Sequence, residues 1–247
     1  MASITIITVC RNAEHLIAKT IASVSAQTYT PHEYVVIDGA STDSTLKYFK
    51  NFLASPLKII SEKDSSIYDA MNKAVRMATG DYVYFLNAGD VFTDANVIAD
   101  ISAFADKHSN PSLLFGNVIY VWENISGRRR FAHINSFTLP VSDLCHQAVF
   151  AKRSLFSDVG IFDLSYKLAA DFDWFLRIFR QKYKGVYFDR DIAFYDGHGV
   201  SATKADEVEH EKFKILRLHY SSHYLYFWKF VYRLARKLFG IGQLERL

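Results

Sequence analysis

Along the first ninety residues, short apolar runs alternate with segments whose apolar positions recur every three or four residues. Residues 4–9 are β-branched and predict a buried strand, whereas residues 14–27 set Leu16, Ile17, Ile21 and Val24 on one face and predict a helix. Residues 34–38 predict a second strand. After Gly39, Thr42 or Asp43 stands where it can cap a helix carrying Leu46, Phe49 and Leu53. A third strand is predicted at 57–61. Ser65 or Ser66 then caps a helix with Ile67, Met71, Ala74, Val75 and Ala78 inward, and Gly80 is expected as its C-cap. Residues 82–86 predict a fourth strand, which stops at Asn87-Ala-Gly-Asp90. Further on, the pattern predicts a helix up to about 107, a strand at 113–122, and a turn at 124–127 leading through Arg128-Arg-Arg130 into a return strand. A helix at about 169–183, a strand near 185–188 and one long aromatic, basic helix at about 207–239 complete the series.

Strands separated by helices imply a mostly parallel sheet with right-handed crossovers, an α/β architecture. In such sheets ligands sit outside the carboxyl ends of the strands. Thr8, Arg11, Asp38, Asn87 and Asp90 all fall there.

Composition narrows the class. Half of the 247 residues are hydrophobic, 22% are charged and the net charge is only +3, which excludes disordered and fibrous readings. Cys10 and Cys145 match no metal-ligand spacing and are expected to be reduced, as in a cytosolic protein. The N-terminus lacks a basic leader, and no run of about 18 apolar residues exists to span a bilayer. Charge is unevenly placed: residues 207–247 hold 8 Lys/Arg against 4 Asp/Glu, while residues 1–206 hold 21 against 22. In the terminal helix Phe227, Val231, Leu234 and Leu238 form one stripe. Lys229, Arg233, Arg236 and Lys237 gather elsewhere, with Tyr224, Tyr226, Trp228 and Tyr232 interspersed. Basic amphipathic helices with interfacial aromatics lie in membrane surfaces. The alternatives are packing on the catalytic domain or pairing in a homodimer. No nucleic-acid partner is expected.

Several residues carry candidate chemistry, each with a plainer reading beside it. Asp38 is either a helix-capping aspartate or an acceptor for a base N–H or ribose hydroxyl. Asp90, after Gly89, is either part of an Asx turn or a ligand for Mg²⁺ or Mn²⁺, which is held by one or two carboxylates plus phosphate oxygens. Asn87 can touch ribose or orient a water. Asp171 and Asp173 point about 200° apart on a helix at 100° per residue. Asp173 lies four residues before Arg177, as a surface ion pair would. Asp171 lacks a basic partner at helical spacing and suits a general base. His146-Gln147 is either structural or part of an acceptor site. His198 is a candidate metal ligand, and Arg128 to Arg130 are either a solvated hairpin or a contact for an acceptor phosphate.

Four segments, in order, carry a resemblance: Thr5-Ile-Ile-Thr-Val-Cys-Arg-Asn12, Val36-Ile-Asp-Gly-Ala-Ser-Thr-Asp-Ser-Thr45, Ser61-Glu-Lys-Asp-Ser-Ser-Ile-Tyr-Asp-Ala-Met-Asn-Lys73 and Thr79-Gly-Asp-Tyr-Val-Tyr-Phe-Leu-Asn-Ala-Gly-Asp90. Together they resemble glycosyltransferase family 2, with the GT-A fold, and the subgroup of colanic acid, exopolysaccharide and O-antigen transferases. His146-Gln-Ala-Val-Phe150, Ala170-Asp-Phe172 and Gly199-Val-Ser201 also fit that subgroup. The likeness covers about residues 3–203, a catalytic domain followed by an extension at 204–247. It implies that Asp38 and Asp64 hold the nucleotide, that Asp90 meets Mn²⁺ or Mg²⁺, and that Asp171 is the base. It further implies inverting transfer from a nucleotide-sugar donor to a glycan or lipid-linked acceptor, in the cytoplasm at the inner membrane face. Two departures stand out: Asn87 and Gly89 occupy places where acids often stand, and Gly-Gly-Val-Ser becomes Gly-His-Gly-Val-Ser. Two rivals are a sugar nucleotidyltransferase, for which the segment after Val9 lacks a glycine-rich basic loop, and a non-catalytic sugar-nucleotide-binding partner.

Overall fold

Alternate residues of the first apolar run serve two different cores, which is why the run shows no polar side. Ile4, Ile6 and Cys10 pack on one face of the sheet, Ile7 and Val9 on the other. The computed structural model describes residues 1–122, 125–197, 199, 203–239 and 244–246. Its elements are β1 (Ile4–Cys10), α1 (Ile17–Ser25), β2 (Glu33–Asp38), β3 (Leu57–Ser61), α2 (Ile67–Met77), β4 (Tyr82–Phe85), β5 (Val91–Phe92) and α3 (Val97–Lys107). There follow β6 (Leu113–Trp122), β7 (Ile125–Arg129), β8 (Val149–Lys152), α4 (Leu155–Asp158), α5 (Ala170–Arg180), β9 (Gly185–Asp196), α6 (Ala205–His219), α7 (Ser222–Phe239) and β10 (Leu244–Arg246).

The described strands form one sheet in the order β10-β7-β6-β8-β4-β1-β2-β3, with β9 beside β6 and β5 against β9. β4, β1, β2 and β3 run parallel. β8 enters antiparallel between β4 and β6, and β9 runs parallel to β6. α1 and α3 cover one face; α2, α4, α5 and one side of α6 cover the other. Helices on both faces explain strands without period-two alternation. The result is the expected α/β architecture, with mixed pairing confined to its second half.

Several expected elements differ in detail. The helix after Asp43 is a 3-10 turn, Thr45–Asn51, and Leu53 lies beyond it, fully exposed. Ser66 caps α2 by accepting from Asp69 N–H at 3.1 Å, while the Asp69 carboxylate accepts from Ser65 N–H at 2.9 Å, a reciprocal capping arrangement. Gly80 is not the C-cap, because α2 already ends at Met77. A Cβ at Gly80 would sit 2.9 Å from the Thr5 backbone nitrogen, so close strand packing accounts for the glycine. The single terminal helix is two, α6 and α7, broken at Tyr220 and Ser221. The boundary at 204 does not separate α6 from the catalytic core, since Ile215 is fully buried in it.

Candidate active site

The loops after β1 and β2 are stitched together by short polar side chains. Asn12 N–H donates to Ser41 Oγ at 2.8 Å, and Asn12 Oδ1 accepts from Thr42 N–H at 2.9 Å. Asp38 closes this loop. Its carboxylate accepts from Ser41 N–H and the Ser41 hydroxyl, and from the Ser61 hydroxyl at 2.6 Å. The side chain is fully buried, does not line the cleft, and braces this loop rather than capping a helix. Thr8 is likewise withdrawn. Its hydroxyl is engaged inside the core, with the Leu86 carbonyl and the Tyr34 hydroxyl, and it is not among the residues lining the cleft.

Beyond those loops opens a cleft of about 1320 Å³ at the carboxyl ends of the parallel strands, roomy for two small ligands. Arg11, Asp64, Asn87, Asp90, His146, Gln147 and Asp171 all line it. Asp64 accepts from Lys73 Nζ at 2.7 Å. Asp173 stays outside, bonded to Arg177 Nε at 2.8 Å; the carboxylate is buried and the arginine half-buried, so the pair is not a free surface one. His198 lies outside the described residues.

One wall is a hydrogen-bonded chain. Tyr68, from α2, donates its hydroxyl to Asp171 Oδ1 at 2.9 Å. His146 Nδ1 lies 3.1 Å from Asp171 Oδ2, and His146 Nε2 lies 3.0 Å from Asn87 Nδ2. Burial pushes the Asp171 carboxyl up, but the bonds from His146 and Tyr68 outweigh it and hold the group below the usual carboxylate range. Asp171 is therefore an ionised carboxylate in a cleft.

Asp90 has the opposite environment. Gly89, at φ +102°, turns the chain so that Asp90 enters the protein, only 3% exposed. Its oxygens accept from Asp196 N–H at 3.1 Å and Gln147 Nε2 at 3.3 Å. Burial pushes its pKa to about 6, and the nearby Asp196 carboxylate adds to this. Gln147 thus braces Asp90, a simpler role than acceptor contact. Asn87 Oδ1 beside it is buried and has no hydrogen-bond partner. A desolvated carboxylate, a second carboxylate and an orphaned carbonyl oxygen are hard donors that fit a divalent cation. No cluster of three His, Cys, Asp or Glu able to hold a metal exists among the described residues, so phosphate oxygens would have to complete its shell.

Local spacing missed four contributors. Tyr68 hid in the apolar pattern of α2, though its place in the third quoted segment was a signal. Asp196 sits at the end of β9, beside Lys19 at 3.3 Å. Glu211 and Lys212 come from α6 with no sequence signal. The Glu211 carboxylate accepts from the backbone N–H groups of Lys167, Leu168 and Ala169 at 2.9, 2.7 and 2.7 Å, tying down the turn that leads into α5 just ahead of Asp171.

An α/β sheet with a stitched loop, a cleft at its strand ends and two contrasting aspartates defines a GT-A-like ligand-binding fold. The glycosyl transferase family 2 profile matches residues 5–160, and the chain belongs to that family. It is 36% identical over 171 residues to the PGL/p-HBAD biosynthesis glycosyltransferase of Mycobacterium bovis, covering 68% of this chain and 66% of that one. It is 33% identical over 107 residues to the Escherichia coli UDP-Glc:alpha-D-GlcNAc-diphosphoundecaprenol beta-1,3-glucosyltransferase WfgD, covering 43% and 42%. The fold matches S. aureus TarS solved with UDP-GlcNAc, at TM-score 0.69 and 17% identity, covering 96% of this chain and 73% of that one. The chain thus spans just under two thirds of its mycobacterial relative.

Proposed function

We propose that this chain is an inverting glycosyltransferase, moving a sugar from a nucleotide-sugar donor to a hydroxyl of a glycan or lipid-linked acceptor. The observation that carries the reading is the ionised Asp171 held by His146 and Tyr68 in the cleft that also holds Asp64 and Asp90. Asp171 takes the proton of the acceptor hydroxyl as its oxygen bonds to the anomeric carbon. The bond from that carbon to the donor phosphate breaks, and its electron pair leaves with the nucleoside diphosphate. A single displacement inverts the anomeric configuration. Asp64 and Arg11 are assigned to the nucleotide side of the cleft. Asp90, with Asn87 and Asp196, would hold Mn²⁺ or Mg²⁺, which supplies positive charge to the diphosphate when bound.

The reading extends to the membrane. No described helix is long and apolar enough to cross one. Yet α7 presents Tyr226, Phe227 and Phe230 at 75%, 60% and 68% exposure, with Lys229, Arg233 and Lys237 also exposed. Such a face suits peripheral contact with an anionic leaflet, where a lipid-linked acceptor resides. The relative that acts on diphosphoundecaprenol-linked sugar supports this.

The test is a thermal-shift screen of UDP-, GDP- and dTDP-sugars with and without Mn²⁺, followed by NMR of the product formed from the stabilising donor. An inverted anomeric centre is expected. Retention of configuration would rule out the single displacement.

A further inference from the structure

The three consecutive arginines at the end of β7 and just past it do not act together. Arg128 Nε and Nη2 bind Asp191 at 2.8 and 2.6 Å, and Arg130 Nη2 binds Asp189 at 2.6 Å, so both turn towards β9. Arg129, between them, points to the opposite side as strand geometry requires, and lines the cleft. Lys212 reaches the same place from α6. Its Nζ lies 3.0 Å from Asp143 Oδ1, while Arg129 Nη1 lies 3.6 Å from Asp143 Oδ2. One carboxylate thus bridges two cations from elements far apart in sequence. Glu209 lies 3.6 Å from Lys212 as well, but it is mostly exposed and its pairing counts for little.

We propose that Arg129 and Lys212 form an anion subsite that holds the diphosphate of a diphosphate-linked acceptor next to Asp171. This rests on the acceptor half of the function proposed above. Place supports it first. Lys212 Nζ lies 5.6 Å from the ring of Phe172, the residue after Asp171, and Asp143 precedes by three residues the histidine that holds Asp171. The subsite therefore adjoins the base, away from the nucleotide loops. Chemistry supports it next. The Lys212 side chain is only 14% exposed, and burying an ammonium is costly without a counter-charge; Asp143 provides it and keeps the lysine charged. The Arg129 side chain is 37% exposed and lines the cleft. Guanidinium and ammonium together match the several oxygens of a diphosphate better than one bridging carboxylate does. Asp143 then acts as a placeholder that a more highly charged ligand displaces.

The probe is farnesyl diphosphate, titrated calorimetrically into the full chain saturated with UDP so that the nucleotide side is filled. Pyrophosphate and farnesol are the comparison ligands. Binding of farnesyl diphosphate is expected to weaken at least tenfold in Arg129→Gln and in Lys212→Gln, and to tighten in Asp143→Asn, which removes the competing charge. Farnesol should not bind. Pyrophosphate binding as tightly as the prenyl ester assigns the subsite to diphosphate from any source; weaker binding of pyrophosphate favours the lipid-linked acceptor. Because Lys212→Gln can disturb packing, Arg129→Gln and Asp143→Asn decide the matter wherever UDP binding shows them folded. Unchanged affinity in those two variants, or displacement of UDP by farnesyl diphosphate, overturns the subsite. Failure of UDP to bind the wild type would count against the donor reading instead, and the same variants would then be compared without UDP.

Discussion

Asp90 and Asp171 share one cleft, yet their neighbours push them in opposite directions. Such divergence between two carboxyls is how one site assigns different tasks to the same side chain. Asp90, raised to about 6, binds extra protons in the folded state between its unfolded value near 3.8 and about 6. Its contribution favours folding at acid pH and is lost as pH rises through that window. Asp90→Asn removes the buried charge, and Gln147 can rotate its amide to keep the hydrogen bond. We expect the variant to be more stable at pH 7 by about 1–3 kcal/mol in calorimetry, while losing metal-dependent nucleotide binding. A drop in stability would contradict this view of Asp90. Asp171 has the reverse sign: its lowered pKa means that its ionised form, and the stability that goes with it, persists until pH falls through the folded value. Tyr68→Phe deletes one of the bonds that stabilise the carboxylate. The acidic limb of the kcat/KM profile should therefore move to higher pH, with the plateau little changed. An unmoved limb would mean that Tyr68 does not act through Asp171. The different placing of Asp171, in the cleft, and Asp173, paired with Arg177, was legible in the sequence because it needs only helical angles and spacing. The fates of Thr8 and Asp38 were not, since a residue at a strand end can face ligand or core and only packing decides.

At the scale of elements, α5 begins at Ala170, after Ala169, without a side-chain cap. Glu211, from α6, instead holds the three residues leading into it, and its negative charge also suits the helix N-terminus. Glu211→Ala should leave three backbone donors without their acceptor and cost about 1–3 kcal/mol, with a fall in kcat as the turn leading to Asp171 loosens. Glu211→Gln keeps one oxygen and should be milder on both counts. If Glu211→Ala lowers stability but leaves turnover unchanged, α6 supports the fold without positioning the base. Strands β1 to β4, β6 and most of the longer helices followed from apolar periodicity. The division of the terminal segment at Tyr220 did not, because helical spacing continues across residues 207–239 and the break is set by tertiary contacts. Arg180 donates to the His219 carbonyl at 2.7 Å there.

At the scale of the molecule, α7 meets the turn Leu139–Val141 on one side, with Leu225 buried, and faces outward on the other. Of the expected stripe, Phe227 and Leu234 are exposed and Val231 is half-buried; the side chains of Leu238, Arg236, Trp228 and Tyr232 lie outside the described set. Replacing Lys229 and Arg233 by glutamate should abolish co-sedimentation with anionic vesicles, since each basic residue near such a surface contributes on the order of 1 kcal/mol. Phe230→Ser should weaken it at every lipid composition. Sedimentation indifferent to both changes would leave α7 as a packing or dimer element. The mixed half of the sheet was less legible than the parallel half. β5 has two residues, and β9 follows β6 with register shifts that no local pattern announces.

Everything converges on Asp171, and the most direct measurement is turnover of Asp171→Asn beside Asp173→Asn, with nucleotide affinity measured on both. General-base loss costs on the order of 10²-fold or more. We expect Asp171→Asn to bind nucleotide almost normally while kcat falls by at least about 10²-fold, and Asp173→Asn to stay within a few fold of wild type once its folding is verified. Equal losses in the two variants, or a greater loss in Asp173→Asn, would contradict the assignment of Asp171 as the base.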